Sequence, residues 1–298
     1  MAKSEGTNYP IELMRIVGVI LITFTHTRHN FVSGAPYFIL EVMPKYGTLL
    51  LSVISGYLYY NYHSNPDLLN KKVKSLLIPY LIANLAVIIP VLLINALGYN
   101  YLNRLTYDAT LITNGLLSVN DVPINPPTYF IRDLFVIFCF LALLQKDYRG
   151  LLFIIPLAIF GQVLIRYNIA LLFLAGFLIR KFEIYAVPLW IKLAVTIPAV
   201  VLSICFFEFD TYKFVVAISI FLVLVNLQFN FVKTGGYTYF LHLYHSPLIV
   251  FIAPLIGLFH PNAYVYVTAQ ILLAIIICYL AYFILVKKCN LRIITGNR

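Results

Sequence analysis

Charged residues are scarce in this chain of 298 residues. They make up 11% of it, against about 25% in soluble globular domains. Hydrophobic residues account for 62% and the mean hydropathy is +0.91, so a soluble domain is excluded. The apolar runs are long and unbroken, whereas transmembrane β-barrels have short alternating segments. The sequence therefore predicts an all-α, polytopic membrane helical bundle.

Cysteine is also rare, and two sequence signals are lacking. The four cysteines fall in apolar runs or in the tail, so no disulfide is predicted. The first apolar run contains a charge and no small-residue cleavage site follows it, so no cleaved signal peptide is expected. No internal repeat of the kind that builds two-fold transporters is detected. We expect one integral membrane domain over 1–298, ending in a short cytoplasmic tail at 287–298.

About ten apolar runs predict transmembrane helices. Two of them, the fifth and the sixth, are shorter than the roughly 20 residues that a span requires, so nine or eleven spans remain open. The predicted spans are 11–31, 46–62, 75–98, 127–145, 150–165, 168–180, 187–207, 211–230, 237–258 and 262–286.

The distribution of lysine and arginine predicts the orientation. With ten spans, thirteen of the 21 basic residues fall in loops or termini on one side and five on the other. Basic loops face the cytoplasm, so both termini are predicted to be cytoplasmic, in a cell membrane. The net charge of +10 then reflects this bias and attraction to anionic membrane lipids, and it predicts no nucleic-acid partner.

The first span carries an arginine and a histidine eleven residues apart. On a continuous α-helix, Arg15 and His26 would lie about 20° apart around the axis and about 16 Å apart along it, on one face. Ionisable groups in a span normally face the bundle interior. An arginine suits a phosphate or carboxylate, and a histidine suits proton transfer. The alternative, a snorkelling arginine and a packed histidine, stays open from these two residues.

Four further motifs follow along the chain: "SVISGYLYY", "NKKVKSLLIPYL", "PPTYFIRDLFVI" and "YFLHLYHSPL". With the Arg-x10-His spacing, their order and the predicted topology, the chain resembles the integral membrane acyltransferase-3 family along nearly its whole length.

This resemblance implies a membrane O-acyltransferase that moves an acetyl or other short acyl group from cytoplasmic acetyl-CoA to a hydroxyl of a surface or secreted glycan. It implies that His26 is the catalytic histidine and Arg15 the residue that binds the acyl donor. Ser55 and Tyr57 match the second-span motif and are expected in the pocket, together with Tyr129, Arg132, His242 and His245. No metal is implied.

The chain departs from the family pattern in three ways. The family usually has Arg-x-x-Arg where this chain has Lys71, Lys72 and Lys74. It prefers tryptophan at the position of Tyr129 and tyrosine at the position of His242. Lysine binds phosphate as a point charge without the arginine fork.

Each residue also has an ordinary structural interpretation. Lys71, Lys72 and Lys74 hold the phosphates of coenzyme A, follow the positive-inside bias, or do both. Asp133 either orients His26 or a sugar hydroxyl, as a second catalytic residue, or only pairs with Arg132. For His245, a buried structural role is the alternative. A metal site on His242 and His245 has the helical spacing but no supporting carboxylate in the sequence.

The predicted activity has one rival. A transporter or flippase for a lipid-linked sugar or polysaccharide would also line its path with buried charges. The acyltransferase prediction places a glycan or lipid-linked sugar acceptor at the outer side, under a long loop at 99–126.

Overall fold

The computed structural model describes residues 8–63, 65–98, 111–117, 123–143 and 166–297. Within these ranges the regular structure is helical, without a strand. An apolar chain in a bilayer must satisfy its backbone groups internally, and helices do so within each segment. The α-helices are α1 (Tyr9–Phe24), α2 (Gly34–Tyr37), α3 (Lys45–Tyr59), α4 (Leu68–Lys72), α5 (Ile78–Ala96), α6 (Tyr129–Leu143), α7 (Tyr167–Lys181), α8 (Leu189–Phe206), α9 (Phe209–Leu224), α10 (Gly235–Gly257) and α11 (Ala263–Tyr282).

Five helical segments of the described chain are long and apolar enough to cross a membrane. The remaining long helices, α1, α6, α7 and α9, have 15 or 16 residues. The all-helical membrane architecture is confirmed, whereas the number of ten spans is not, and the predicted fifth span at 150–165 lies outside the described residues. The five segments are Gly34–Tyr62, Leu68–Ala96, Leu189–Phe206, Gly235–Gly257 and Ala263–Lys288.

Two predicted loops are helical. The segment 63–74 was expected to be an inner loop, but α4 and the π-helical segment Val73–Leu77 continue directly into α5. Residues 34–42, expected as part of the first outer loop, form α2 and a second π-helical segment. The error has a physical reason: low hydropathy marks a segment outside the bilayer core, but it does not prevent lysine, asparagine and leucine from being helical.

Glycines bring α3 and α7 into direct backbone contact. A Cβ built on Gly56 would lie 1.8 Å from the carbonyl oxygen of Phe173, and one on Gly176 would lie 2.0 Å from that of Val53. Small residues at such contacts let membrane helices approach closely and gain dispersion energy. The α3–α7 contact forms a central seam of the bundle.

A buried polar network joins the segment before α6 to α5 and α10. Asn84 donates to Thr128 at 3.0 Å and accepts from the backbone of Asn125 at 3.2 Å. The Asn125 amide donates to the carbonyl of Leu243 at 2.7 Å. That carbonyl needs an external donor because Pro247, four residues later in α10, has no N–H. The network therefore compensates a proline in the helix that carries two of the candidate histidines.

The end of the chain packs back onto the bundle. Thr295 is fully buried, and a Cβ on Gly296 would approach the Ser75 backbone to 2.6 Å. The hydroxyl of Tyr244 contacts the carbonyl of Ile294 at 3.5 Å. Residues 294–296 of the predicted tail thus pack onto the bundle, whereas 287–293 are exposed. The location of the tail in the cytoplasm stays a prediction.

Candidate active site

Two cavities enter the bundle from opposite ends. The larger one, about 610 Å³, lies among the start of α1, the end of α3 and the start of α10, and contains Arg15. The smaller one, about 270 Å³, lies among the end of α1 and the starts of α3, α6 and α7, and contains His26. His242 lines both cavities. Arg15 and His26, the two key residues predicted in the first span, therefore line two different cavities. These cavities share a third candidate residue, His242.

The larger cavity has a cationic end and apolar walls. Arg15, Lys72 and Lys233 line it together with apolar side chains from α3 and α6. The arginine donates to Glu12 at 3.0 Å, and its side chain is 32% exposed. Glu12 also accepts from the backbone of Thr234 at 3.1 Å, which ties α1 to the start of α10. This carboxylate fixes the arginine near the opening of the cavity.

Of the three lysines that were predicted to bind the acyl donor, only one lines the larger cavity. Lys72 lines the larger cavity, with its ammonium nitrogen 3.9 Å from the centre of the Phe138 ring. Lys71 and Lys74 are exposed on the same helical segment and do not line it. On an α-helix, residues one and two positions away from Lys72 point in other directions, so neighbours in the sequence diverge in space.

The smaller cavity is lined mainly by polar and aromatic groups. Lys45, Lys213, Thr48 and Asn168 contribute to its wall, and Tyr129 lies beside them. The guanidinium carbon of Arg166 lies 3.6 Å from the centre of the Tyr129 ring.

Because α6 and α7 both begin at this cavity, they enter the bundle from the same end. This is the relation expected of the predicted fourth and sixth spans.

His26 lies in a turn just after α1. The helix ends at Phe24, so the continuous helix expected over 11–31 is wrong, and the helical-face relation of Arg15 and His26 does not extend to the histidine. Thr25 and Thr27 donate to backbone carbonyls three residues earlier, at 2.9 and 2.8 Å, which competes with the helical hydrogen bonds.

A residue that the sequence did not indicate fixes this turn. The side chain of Gln270 in α11 is fully buried. It accepts from the backbone N–H of Arg28 at 2.8 Å and donates to the backbone carbonyl of the same residue at 3.1 Å. The two hydrogen bonds reach the peptide groups on either side of the Arg28 Cα and so hold both the position and the orientation of this backbone. The segment after His26 is therefore anchored to α11.

Three histidines lie close together, and one of them is His242, which both cavities share. The ring centres of His26 and His245 are 5.1 Å apart, and those of His242 and His245 are 6.4 Å apart. His242 also makes an edge contact with Phe130 at 5.8 Å. Over the described residues, no group of three or more His, Cys, Asp or Glu side chains has a geometry that could hold a metal ion.

Asp133 forms an ion pair with Arg132, as its structural interpretation predicted. It is fully buried, and its Oδ1 atom accepts from Arg132 at 2.6 and 2.8 Å. Its Oδ2 atom accepts from the backbone N–H of Arg166 at 3.1 Å, just before α7. These contacts join α6 to α7. A catalytic role of Asp133 beside His26 stays a prediction.

The three residues of the Ser-Gly-Tyr motif have different surroundings. Ser55 lines the larger cavity, with its hydroxyl bonded to the carbonyl of Leu51 at 2.8 Å. Gly56 forms the close contact with α7. Tyr57 is buried outside both cavities, and its hydroxyl accepts from Arg180 at 3.0 Å. One position of the motif faces the pocket, and the other two hold the helices that form it.

Sequence reasoning did not select several cavity residues. Glu12 could have been found, because an acid three residues before Arg15 indicates an ion pair within one helix. Lys233, Lys45 and Lys213 were counted only as loop charges. Of the loop expected to cover the acceptor, residues 99–110 and 118–122 lie outside the described residues.

One comparison with known proteins finds a match. The family model of the acyltransferase-3 type, described as an acyltransferase domain, matches residues 8–286. The chain belongs to this family, and it is an integral membrane acyltransferase. No curated protein and no solved structure matches it.

Proposed function

We propose that this acyltransferase moves an acetyl or other short acyl group from a coenzyme A thioester in the larger cavity to a hydroxyl group in the smaller one. The acceptor is a surface or secreted glycan or its lipid-linked precursor. The observation that carries this proposal is that His242 lines both cavities and that the ring of His245 lies 6.4 Å from that of His242 and 5.1 Å from that of His26, centre to centre.

The larger cavity suits the donor. The phosphates of coenzyme A are polyanionic, and its pantetheine arm is long and narrow. Arg15, Lys72 and Lys233 offer positive charge at one end, where a guanidinium binds phosphate in a bidentate manner and ammonium groups add point charges. The walls that continue toward His242 suit the arm. This end is taken to face the cytoplasm, where acetyl-CoA is available, and both termini lie on that side.

The smaller cavity suits a hydroxyl-rich acceptor. Thr48 and Asn168 supply hydrogen-bonding groups, and Tyr129 supplies an aromatic face. His26 removes the proton from the acceptor hydroxyl while its oxygen attacks the acyl carbon. The carbon–sulfur bond breaks, and the coenzyme A thiolate takes up the proton from His26. No metal is required for this step.

The test uses purified protein in lipid vesicles with acetyl-CoA labelled on the acetyl group. Short oligosaccharides or a lipid-linked sugar are supplied as acceptors. The wild type is expected to move label from the thioester to the acceptor, and His26→Asn to reduce this by at least about 100-fold, the usual contribution of a general base.

The matched control is His260→Asn. His260 is exposed between α10 and α11 and has a φ of 47°, a conformation that asparagine tolerates. Its transfer rate should equal that of the wild type. Equal rates for His26→Asn and the wild type would remove His26 from the reaction. Movement of a lipid-linked sugar across the vesicle membrane without thioester consumption would favour the transporter.

A further inference from the structure

The neighbour of His26 is another histidine. A histidine that acts as a base depends on a partner that holds one ring nitrogen and leaves the other free to react. Asp133, the carboxylate that the sequence offered, has both oxygens engaged by Arg132 and by the backbone of Arg166. The ring of His245 lies 5.1 Å from that of His26, centre to centre. His245 is therefore the candidate partner of His26.

One hydrogen bond assigns the tautomer of His245. Its Nδ1 atom lies 2.7 Å from the carbonyl oxygen of Leu241, one turn earlier in α10. A carbonyl oxygen can only accept, so Nδ1 carries the hydrogen. The ring is fully buried and stays neutral, because burial of an unpaired charge is very unfavourable. The lone pair of His245 therefore lies on Nε2.

This Nε2 atom is buried, and within the described residues it has no hydrogen-bond partner. Burying an acceptor without a donor is unfavourable, so such an atom in a folded protein calls for a physical explanation. At a centre-to-centre distance of 5.1 Å, two imidazole nitrogens that point at each other come within hydrogen-bond distance. A turn of the His26 ring brings its N–H to this acceptor, as catalytic hydrogen bonds often tighten only with substrate present.

We propose that His245 is the positioning residue of His26: its Nε2 atom accepts the N–H of His26 and directs the other ring nitrogen of His26 toward the acceptor hydroxyl. The carbonyl of Leu241 fixes the polarity of this pair from behind. The inference rests on the proposed acyl transfer. His245 itself exchanges no proton with the substrate.

Two substitutions separate the two hydrogen bonds of His245. In His245→Asn, the amide can still donate to the carbonyl of Leu241, but the side chain ends short of His26. In His245→Gln, the longer amide can present its oxygen near the position of Nε2. Both are assayed in vesicles with acetyl-CoA and short oligosaccharides, by release of the coenzyme A thiol, after gel filtration confirms that each variant is folded.

We expect His245→Asn to lower kcat by at least about 100-fold, while the KM for acetyl-CoA changes less than about threefold, since the cationic donor cavity lies elsewhere. His245→Gln should retain at least a tenth of the wild-type kcat. A merely structural histidine would not show this rescue by the longer amide. Equal kcat values for the two variants, or a wild-type kcat in the asparagine variant, would overturn the proposal.

A second measurement does not depend on the variants being active. Two rings, those of His63 and His245, have Nδ1 against a backbone carbonyl. Nitrogen-15 spectra of histidine-labelled wild-type protein should contain a signal from a neutral ring protonated at Nδ1 that is lost in His245→Gln, while the signals of His63 are unchanged. Absence of the His245 signal from the wild type would refute the tautomer and with it the proposal. If the wild type itself releases no thiol while the Nδ1–H signal is present, the proposed function fails and the role of His245 falls with it, although the tautomer stands.

Discussion

Replacing Gly56 by alanine tests whether the glycine of the Ser-Gly-Tyr motif is structural. The new Cβ would lie 1.8 Å from the carbonyl oxygen of Phe173, whereas real Cβ contacts are essentially never below 3.0 Å. The α3 and α7 backbones must therefore separate by more than 1 Å at this point. Overpacking of this kind costs about 1–3 kcal/mol, which corresponds to a fall in Tm of at least about 2 °C.

The assay is the thermal midpoint of the folded gel-filtration peak in detergent. Gly257→Ala is the matched control, because a Cβ there meets nothing within 4 Å, and its midpoint should stay at the wild-type value. Gly176→Ala strains the same seam from the other side. The double variant should therefore lose less stability than the sum of the two single ones, since one separation of the helices relieves both contacts.

A midpoint of Gly56→Ala equal to those of the wild type and Gly257→Ala would refute the close contact. Fully additive losses in the double variant would refute a shared seam.

Three further substitutions have equally direct expectations. Lys72→Ala should raise the KM for acetyl-CoA several-fold, because this lysine lines the larger cavity, and Lys71→Ala should leave it unchanged, because that side chain is exposed away from the cavity; equal effects would contradict the assignment. Gln270→Leu should lower kcat more than it changes the KM for acetyl-CoA, because it releases the turn after α1. The control is Gln228→Leu, at an exposed position, which should match the wild type. Asn125→Leu should lower the thermal stability by about 1–3 kcal/mol, because the α10 carbonyl freed by a proline is left without a donor; an unchanged thermal midpoint would show that this hydrogen bond is dispensable.

The order and approximate extent of most helices follow from the sequence. Long apolar runs must be helical in a bilayer, and the observed α6, α7, α8 and α10 lie within a few residues of the predicted spans. The largest errors concern boundaries. α1 ends before His26 because threonine hydroxyls bond the backbone there, and the helix that carries Lys72 begins earlier than predicted because polar residues can be helical too.

Some residues of the candidate site can likewise be predicted from the sequence, and others cannot. Arg15 and His26 could be selected from the sequence because ionisable residues in an apolar run are conspicuous, and their spacing matched a family motif. Gln270 could not be selected, because a single amide in a late apolar run has no local signature. Its role arises from two hydrogen bonds to the backbone of Arg28, which is distant in the chain.

The sequence by itself determined the class of this protein, because hydropathy and the spacing of charges are properties of one chain segment at a time. Only the tertiary structure decided which side chains meet. The exact crossing of α1, α10 and their neighbours places His245 beside His26, leaves Asp133 with Arg132, and lets Lys72 line a cavity that Lys71 does not line. These outcomes depend on the distances between helices to within about an ångström, and the glycines of α3 and α7 help to set such distances. Local periodicity does not specify them.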